Sequence, residues 1–490
     1  MRYAYSVEET RRLEAAAMSA LRDSGDDALM QRAAHGLSVR VAAELGRLRG
    51  RVYGGNVLIL VGPGNNGGDA LHAGARLAAR GCSVRAVPAL GQTHAAGLRA
   101  LLSAGGRLGE LSDLGDELLA GTDVVIDGVL GIGGRAGLPD ELAELADRLG
   151  RRHSPVVAVD LPSGVESDTG AVPAGSIGAT RTVTFGVFKA CHLLEPARSR
   201  SGLVELVDIG LPLDDATPVL AAWEEADVVA GWPVPGATAD KYARGVVAID
   251  TGSDRYPGAA ILSTFGAVFG GAGMVRFLGP AAAKPVLLNE LPNVVYAEGR
   301  VQSWLLGSGW GDRPGGTRRV ADTIATGMPV VLDADALRHL PDRLPEHVLL
   351  TPHAGELARL LGCERAEVTA DPVGSVRAAA DRTGATVLLK GASQLVATPG
   401  GDTADLAVAG PAWTGQAGSG DVLGGLCAAL LAAGRSAREA GVLGASIQAM
   451  TAAAHPGPLP PQELARRCAE LIGRLTEPAA ASDDRARGRS

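Results

Sequence analysis

The amino-acid sequence predicts an α/β protein made of two domains in series. Short apolar runs rich in Val, Ile and Leu alternate with Ala-, Leu- and Arg-rich stretches along the chain, a pattern typical of parallel α/β folds. A length of 490 residues corresponds to about three average domains, and two large α/β domains account for it equally well. Pro, Asp and Gly cluster at 211–235, which indicates a boundary between two halves.

The same alternation predicts the individual elements. In the first half, strands are predicted at 57–61, 84–87, 124–127, 156–159, 182–185 and 203–207, with helices at 71–80 and 141–149. In the second half, strands are predicted at 246–249, 274–278, 304–306, 329–332, 348–350 and 386–389, with helices at 420–433 and 437–453. The predicted domains are 1–215 and 236–475, with a linker at 216–235 and a disordered tail at 476–490, where apolar periodicity is lost.

Composition excludes several classes of protein. The net charge of −8 argues against a general nucleic-acid or membrane-surface binder, since both need concentrated positive charge. Charged residues interrupt the N-terminus where a secretory signal would need an apolar stretch. The uncharged segment 256–275 is long enough to cross a bilayer, but its proline and five glycines favour a loop and helix in a globular core. The five scattered cysteines form no CxxC pair, so we expect reduced thiols in a cytoplasmic protein.

Lysine is rare in this chain. Only four of the 46 basic residues are lysines. A chain that uses arginine elsewhere is expected to keep lysine where a compact ammonium group is needed. Lys189 and Lys390 lie in motifs described below, and Lys241 precedes Gly245 in a further segment of the second half, whereas Lys284 lies beside none of them.

The first motif of functional interest is Gly62-Pro-Gly-Asn-Asn-Gly67, between a predicted strand and a predicted helix. Its spacing matches GxGxxG, so a dinucleotide site built from backbone amides is one interpretation. The next strand, 83–88, ends without the acidic residue that would bind a ribose hydroxyl, which weakens that interpretation. Asp127 and Asp160 end two further strands and precede glycine loops, so all three loops are expected at one edge of the sheet. Helix capping is the alternative for either aspartate alone.

Together these segments resemble the NAD(P)H-hydrate epimerase family, also called the YjeF N-terminal domain. The resemblance rests on GPGNNGGDA, DGVLGIG, DLPSGVESDTG and TFGVFKACHL, and it covers about residues 1–215. It implies a Rossmann-like three-layer αβα domain in which Asp160 binds or deprotonates the substrate and Lys189 supports catalysis. It also implies a potassium ion held by Asn66, Asp127 and Ser163. The implied contacts with the hydrated nucleotide come from Asn65, Asn66, Gly67, Gly68, Asp69, Gly131, Ile132, Gly133, Gly134, Arg135, Ala136, Gly137 and Asp160.

The second motif is Gly418-Ser-Gly-Asp421, at the start of a predicted helix. Backbone amides there can bind an anion, and an aspartate beside them can accept a proton from a hydroxyl that attacks phosphorus. Taken alone, the motif is equally consistent with a turn and an N-cap. The sequence contains neither GxxxxGKT nor an HRD catalytic loop, which excludes the P-loop and protein-kinase interpretations.

With LDADA at 332–336, LTPHAGE at 350–356 and VLLKGA at 387–392, this motif resembles the ADP-dependent NAD(P)H-hydrate dehydratase family, or YjeF C-terminal domain. That family has a ribokinase-like αβα fold, and the resemblance covers about 225–475. It implies that Asp421 is catalytic. Implied contacts with the hydrated dinucleotide come from Ala260, Gly309, His353 and Asp421, and contacts with the adenine nucleotide come from Lys390, Gly391, Ala392, Ser393, Gln394 and Gly420.

The two resemblances together imply one bifunctional repair activity on hydrated NAD(P)H. Reduced nicotinamide cofactors add water at ring carbon 6 and give two epimers, which the first domain would interconvert. The second domain would phosphorylate the S form with ADP and then eliminate phosphate, giving AMP, phosphate and NAD(P)H. The implied ligands are hydrated NADH or NADPH, a potassium ion and ADP, with magnesium as the candidate ion bound to the ADP phosphates.

We also expect a homo-oligomer that binds neither nucleic acid nor membranes. Two other functions stay open at this point. One is a ribokinase-like small-molecule kinase fused to a nucleotide-binding module, and the other is an NAD-dependent dehydrogenase.

Overall fold

The computed structural model describes residues 1–21 and 27–477. The chain forms two compact units. The first unit is Tyr3–Leu220, and the second is the chain from Ala221 onward together with Met1–Arg2.

The first unit is an αβα domain. Its strands are β1 (Arg2–Tyr5), β2 (Asn56–Val61), β3 (Ser83–Pro88), β4 (Arg107–Leu108), β5 (Val124–Gly128), β6 (Val156–Val159), β7 (Arg181–Phe185), β8 (Phe188–Lys189) and β9 (Leu203–Val207). Its helices are α1 (Val7–Ala20), α2 (Ala28–Arg49), α3 (Asn65–Ala79), α4 (Ala95–Ser103), α5 (Asp116–Ala120), α6 (Asp140–Arg151) and α7 (Ala197–Ser201).

Seven of these strands form one parallel sheet in the order β4-β3-β2-β5-β6-β7-β9. Strand β2 shows why both faces are covered, since successive side chains point to opposite sides. Val57, Ile59 and Val61 pack in a core with α2 and α3, whereas Leu58 and Leu60 pack in a separate core with α6. A strand buried on both faces reads as the continuous apolar run that the sequence contains.

All six strands predicted for the first half are present, the helix predicted at 71–80 overlaps α3, which begins six residues earlier and ends one residue earlier, and the helix predicted at 141–149 lies within α6. No element was predicted before residue 57, where the structure has β1, α1 and α2. The signal for α2 was present in the sequence. Leu37, Val41 and Leu45 recur at helical spacing and are fully buried.

The second unit is also an αβα domain. Its strands are β10 (Leu220–Ala222), β11 (Val246–Asp250), β12 (Met274–Phe277), β13 (Ser303–Leu306), β14 (Val330–Leu332), β15 (Val348–Leu350), β16 (Thr386–Leu389), β17 (Leu395–Ala397) and β18 (Ala404–Leu406). Its helices are α8 (Glu225–Gly231), α9 (Pro257–Phe269), α10 (Lys284–Glu290), α11 (Gly316–Ile324), α12 (Ala354–Leu361), α13 (Arg365–Ala370), α14 (Pro372–Thr383), α15 (Ser419–Ala432), α16 (Ala437–Ala454) and α17 (Pro461–Thr476).

The sheet of the second unit is mixed. Its strands follow the order β12-β11-β13-β14-β15-β16-β17-β18, and only β16, β17 and β18 pair antiparallel. The six strands predicted from sequence are the parallel ones. The antiparallel edge strands β17 and β18 were not predicted from the sequence.

Helices α9 and α15 pack closely in the core of the second unit. A Cβ at Gly266 would overlap the carbonyl oxygen of Val422, and one at Gly425 would overlap that of Ser263. The two helices therefore touch through their backbones. The uncharged segment 256–275 is accordingly the 13-residue helix α9 and a loop into β12, as predicted. Among the described residues, no helix has the length and apolar character needed to span a membrane.

Part of the segment predicted as a linker, 216–235, is folded, because it contains β10 and α8. Its hydrogen bonds explain this order. The backbone amide of Trp223 donates to Leu406 in β18, and its indole Nε1 donates to the buried carboxylate of Asp405. The predicted tail at 476–490 lies, apart from its first two residues, outside the described residues.

Candidate functional site

Three loops meet at the carboxyl edge of the first sheet. Strands β2 and β6 both pair with β5, so the loops after these strands are neighbours, as the sequence predicted. The amide of Gly62 donates to the carbonyl of Gly128 at 3.0 Å. A Cβ at Gly62 would overlap the carbonyl oxygen of Val129, so only glycine permits this approach. The motif Gly62–Gly67 therefore lies directly against the loop that follows Asp127.

Asp160 lies just beyond β6 in a buried ionic network. Its backbone adopts a φ of +65°, a left-handed conformation that is uncommon for residues other than glycine. Its Oδ1 accepts hydrogen bonds from Lys189 Nζ at 2.6 Å and from Thr184 Oγ1 at 2.9 Å. Burial alone would raise the pKa of Asp160, but the Lys189 ammonium group outweighs burial and lowers that pKa. Asp160 is therefore a carboxylate at neutral pH.

His192 holds the backbone of Asp160. Its Nε2 donates to the Asp160 carbonyl oxygen at 2.8 Å, and its Nδ1 accepts from the Lys189 amide at 3.0 Å. Burial and the positive charge of Lys189 lower the pKa of His192 to about 4. The ring is therefore neutral, and its two hydrogen bonds place the proton on Nε2. The strained backbone of Asp160 is fixed by a residue to which the sequence analysis assigned no role.

The three predicted potassium ligands also come together. The Oγ of Ser163 donates to Asp127 Oδ1 at 2.6 Å, and the Ser163 amide donates to Oδ2 at 2.8 Å. The side-chain amide of Asn66 contacts the carbonyl oxygens of Val159 at 2.7 Å and Leu130 at 3.2 Å. Asp127 is fully buried, and burial raises its pKa to about 6, a rise limited by the hydrogen bonds from Ser163. The cluster is thus rich in oxygen atoms and contains one buried carboxyl group.

Two further acidic groups share the region around Asp160. Asp69, in the first turns of α3, is 7% exposed, and its Oδ1 has no hydrogen-bond partner among the described residues. Burial raises the pKa of Asp69 well above its ordinary value, and the charges of Asp160 and Glu14 add to this effect. Burial also raises the pKa of Glu14 in α1, despite the nearby positive charge of Lys189.

The remaining residues predicted to contact the hydrated nucleotide lie around the same edge. Asn65 is exposed at the start of α3, followed by the buried Gly67 and Gly68. A Cβ at Gly131 would overlap the side chain of Asn66, and one at Gly133 would lie 3.4 Å from Arg11 Nη2. The loop that follows is half-buried or exposed, and it contains Ile132, Gly133, Gly134, Arg135, Ala136 and Gly137.

In the second unit, the predicted catalytic aspartate lies at the start of a buried helix. Gly418 caps α15 with a φ of +92°, and Asp421 is in the first turn. A Cβ at Gly420 would lie 3.3 Å from Lys390 Nζ. The structure therefore brings together the helix N-terminus, the acid and one of the four lysines.

Asp333 is hydrogen-bonded to Lys390, and its negative charge acts on Asp421. Lys390 Nζ donates to Asp333 Oδ1 at 2.6 Å, while Ser308 and Thr351 donate to the same carboxylate at 2.8 Å. Burial would lower the pKa of Lys390, but Asp333, Glu356 and Asp421 raise it, so Lys390 is a cation. Burial and the negative charge of Asp333 raise the pKa of Asp421 to about 7.

The predicted dinucleotide contacts of the second unit differ in accessibility. His353 caps α12, where its Nδ1 accepts from the amides of Gly355 and Glu356, and its side chain is 57% exposed. It is therefore not a core histidine. Gly309 accepts a hydrogen bond from Ser253 Oγ at 2.8 Å. Ala260, in α9, is fully buried.

The predicted adenine-nucleotide segment is the turn between β16 and β17. Gly391 and Ala392 are exposed, and Ser393 and Gln394 are half-buried. The Lys390 amide donates to Pro352, next to His353, at 2.8 Å. The exposed turn and the exposed histidine are thus neighbours at the ends of β15 and β16.

Sequence analysis assigned no role to six residues around the predicted ones. In the first unit these are Thr184 and His192, which hold Asp160, and Glu14, whose charge acts on Asp69. In the second unit they are Ser308, Asp333 and Thr351. For Asp333 a signal was available. It directly follows β14, and an acidic residue at the carboxyl end of a parallel strand is a favoured ligand position. The other five depend on long-range contacts that no local pattern records.

Comparison with known proteins identifies the family. A family model described as YjeF-related protein N-terminus matches residues 26–191, and one described as NAD(P)H-hydrate dehydratase matches 247–465. The bifunctional NAD(P)H-hydrate repair enzyme Nnr of Mycobacterium tuberculosis is 44% identical over 455 residues, which cover 90% of this chain and 91% of that protein. The chain belongs to the bifunctional NAD(P)H-hydrate repair enzymes.

The Nnr protein of Mycobacterium leprae is 43% identical over 94% of this chain and 96% of its own length. A Bacillus subtilis ADP/ATP-dependent NAD(P)H-hydrate dehydratase, co-crystallised with ATP and Mg²⁺, covers 52% of this chain and 98% of its own at 26% identity, with a TM-score of 0.47. The predicted fold class, two α/β domains in series, is confirmed, because a unit with a seven-stranded parallel sheet is followed by a unit with a mixed sheet. So is the predicted function, since this repair enzyme has epimerase and dehydratase activities. The kinase and dehydrogenase alternatives are set aside.

Proposed function

We propose that the first unit is the epimerase and that the second dehydrates the S epimer with ADP as phosphoryl donor. The division is supported by the two family models, which match 26–191 in one unit and 247–465 in the other. The observation that carries the dehydratase assignment is the meeting of Lys390, Asp421 and the N-terminus of α15. Parallel assays with ADP and ATP on hydrated NADH, following NADH absorbance and AMP release, test the donor. Preference for ATP would overturn ADP as donor and leave the dehydratase role intact.

For the epimerase, we propose that Asp160 is the base and that Lys189 keeps it ionised. A base must be unprotonated at working pH and rigidly placed. The 2.6 Å contact with Lys189 and the backbone contact with His192 supply these two conditions. The residues expected to surround the hydrated nucleotide are those of the α3 N-terminus and the 131–137 loop, where backbone amides can meet phosphate groups.

For potassium, we propose that Asn66, Asp127 and Ser163 hold the ion. Oxygen donors with a single carboxylate suit a monovalent hard cation. The donor set fits, because no positively charged side chain among residues 1–21 and 27–477 is hydrogen-bonded to the buried Asp127, and the carbonyl oxygens of Leu130 and Val159 lie beside Asn66. A cation there would stabilise the Asp127 carboxylate and join the three loops that carry the site.

The potassium proposal predicts the behaviour of the Asp127→Asn variant. Asparagine keeps the shape of the side chain and removes its charge, so the ion is held weakly. We expect epimerisation to become slower and insensitive to potassium, while wild-type epimerisation rises when potassium replaces a large organic cation. Epimerase rates across a potassium titration measure this effect. An unchanged potassium response in the variant would refute the site.

For the dehydratase, we propose that Asp421 accepts the proton of the substrate hydroxyl as its oxygen attacks the β-phosphorus of ADP. AMP then leaves, and the C6–O bond of the phosphorylated substrate breaks with its electron pair going to phosphate as a ring proton is lost. Phosphate is a far better leaving group than hydroxide. Lys390 and the amides at Gly418–Gly420 would stabilise the transferring phosphoryl group.

This role predicts the pH dependence of dehydration. Because the pKa of Asp421 is raised to about 7, the base is ionised above that pH and protonated below it. We expect kcat/KM for ADP-dependent dehydration to rise with pH through about 7 and to fall about tenfold per unit on the acid side. Initial rates from pH 5 to 9, about two units either side of that value, record the profile. A rate independent of pH across this range would contradict the assignment.

A further inference from the structure

Asp69 is a buried carboxyl group that the mechanism above leaves without a task. It lies in the first turns of α3, directly after the loop that follows β2, and it is 7% exposed. Its Oδ1 is inaccessible and has no hydrogen-bond partner among the described residues. A buried carboxylate without a partner is costly, whereas the neutral acid is not. Asp69 therefore carries a proton.

Asp160 has the opposite environment at the same edge of the sheet. Lys189 and Thr184 both donate hydrogen bonds to its Oδ1, so the charged form is favoured. The two groups are brought together by α3, because Asn66 Nδ2 donates to the carbonyl oxygen of Val159, the residue before Asp160, at 2.7 Å, and Asp69 lies about one turn further along the helix. The negative charges of Asp160 and Glu14 add to the effect of burial in raising the pKa of Asp69. Two carboxyl groups whose surroundings drive them to opposite protonation states supply an acid and a base.

We propose that Asp69 is the general acid of the epimerase reaction, acting opposite Asp160 as the base. This inference rests on the proposed role of Asp160. Arg11 and Glu14, which α1 presents to the same region, are assigned no part in the proton transfers.

Asp69 gives its proton to the hydroxyl oxygen on C6, the C6–O bond breaks with its electron pair going to the departing water, and the lone pair of N1 forms an N1=C6 double bond. Another water then adds to the opposite face of C6, the double-bond pair returns to N1, and the proton released from that water goes to Asp160. No oxidant or reductant is needed.

The same two carboxyl groups can serve both directions of the reaction. After one turnover Asp69 is ionised and Asp160 is protonated, so the two groups have exchanged roles for the reverse reaction. Proton exchange with solvent restores the starting state. Each carboxyl group therefore serves one face of the ring, and removal of either should stop epimerisation in both directions.

The test compares three variants of the full chain. Asp69→Asn keeps the shape and removes the transferable proton, Asp69→Glu restores a carboxyl group, and Asp116→Asn is a matched control whose side chain is 77% exposed. We expect Asp69→Asn to lose at least about a hundredfold in epimerisation in both directions. Dehydration by the second unit should be retained, Asp69→Glu should recover part of the epimerase activity, and the control should match wild type.

A second measurement does not depend on the stability of any variant. Wild-type enzyme acting on the separated R epimer in ¹⁸O-water should place heavy oxygen in the S epimer at the rate of epimerisation, above an enzyme-free control. Product that retains its original oxygen would overturn the proposal, as would near wild-type epimerisation by Asp69→Asn. Asp160→Asn is assayed in parallel. If Asp160→Asn stays active and Asp69→Asn does not, the proposed base is wrong. If Asp69→Asn stays active and Asp160→Asn does not, only the general-acid proposal fails.

Discussion

Asp421→Asn should abolish ADP-dependent recovery of NAD(P)H while leaving epimerisation intact. Asparagine cannot accept the proton of the attacking hydroxyl, and general-base catalysis is worth at least about a hundredfold, or about 2.7 kcal/mol of transition-state stabilisation. The nucleotide should still bind, because Lys390 and the amides at the start of α15 are untouched. NADH absorbance with the S epimer and ADP measures the loss, and calorimetry measures retained ADP binding.

The matched control is Asp402→Asn, whose side chain is 81% exposed in the same unit. It removes an equal charge away from the proposed site and should dehydrate at the wild-type rate. Epimerisation by Asp421→Asn provides a second control within the same chain. Recovery of NADH by Asp421→Asn at close to the wild-type rate would refute the mechanism.

Asp160→Asn should remove epimerisation by at least about a hundredfold and leave dehydration of the pure S epimer unchanged. Asparagine tolerates the left-handed backbone that Asp160 adopts, so the His192 contact can persist. The change leaves the Lys189 ammonium buried without its anion, and loss of one partner of a buried pair costs about 3–5 kcal/mol. We therefore expect a lower Tm as well as lost activity, measured by thermal melting and by interconversion of the separated epimers.

The double variant Asp160→Asn/Lys189→Met separates these two effects. It removes both charges, so no unpaired ion remains buried, and it should melt at a higher temperature than the single variant. Its epimerase activity should be equally low if Asp160 is the base. Epimerisation restored along with stability would mean that Asp160 serves only to pair with Lys189.

The sequence by itself determined the αβα architecture, because strands buried on both faces read as continuous apolar runs such as 57–61. It also placed Asp127 and Asp160 at one sheet edge, since carboxyl ends of neighbouring parallel strands converge. The rare lysines were also informative, because a chain that uses arginine elsewhere keeps lysine where a compact ammonium group is needed. Lys189 and Lys390 each lie beside a predicted catalytic aspartate.

Only the tertiary structure decided how those residues are charged and held. The protonation states of Asp69, Asp160 and Asp421 depend on burial and on partners such as Lys189 and Asp333, which are distant in sequence from the groups they affect. The left-handed backbone of Asp160 and its contact with His192 are equally invisible to local patterns. Desolvation and Coulomb interaction act through space rather than along the chain. Sequence motifs therefore identify the acidic residues, but their protonation states depend on how the chain packs around them.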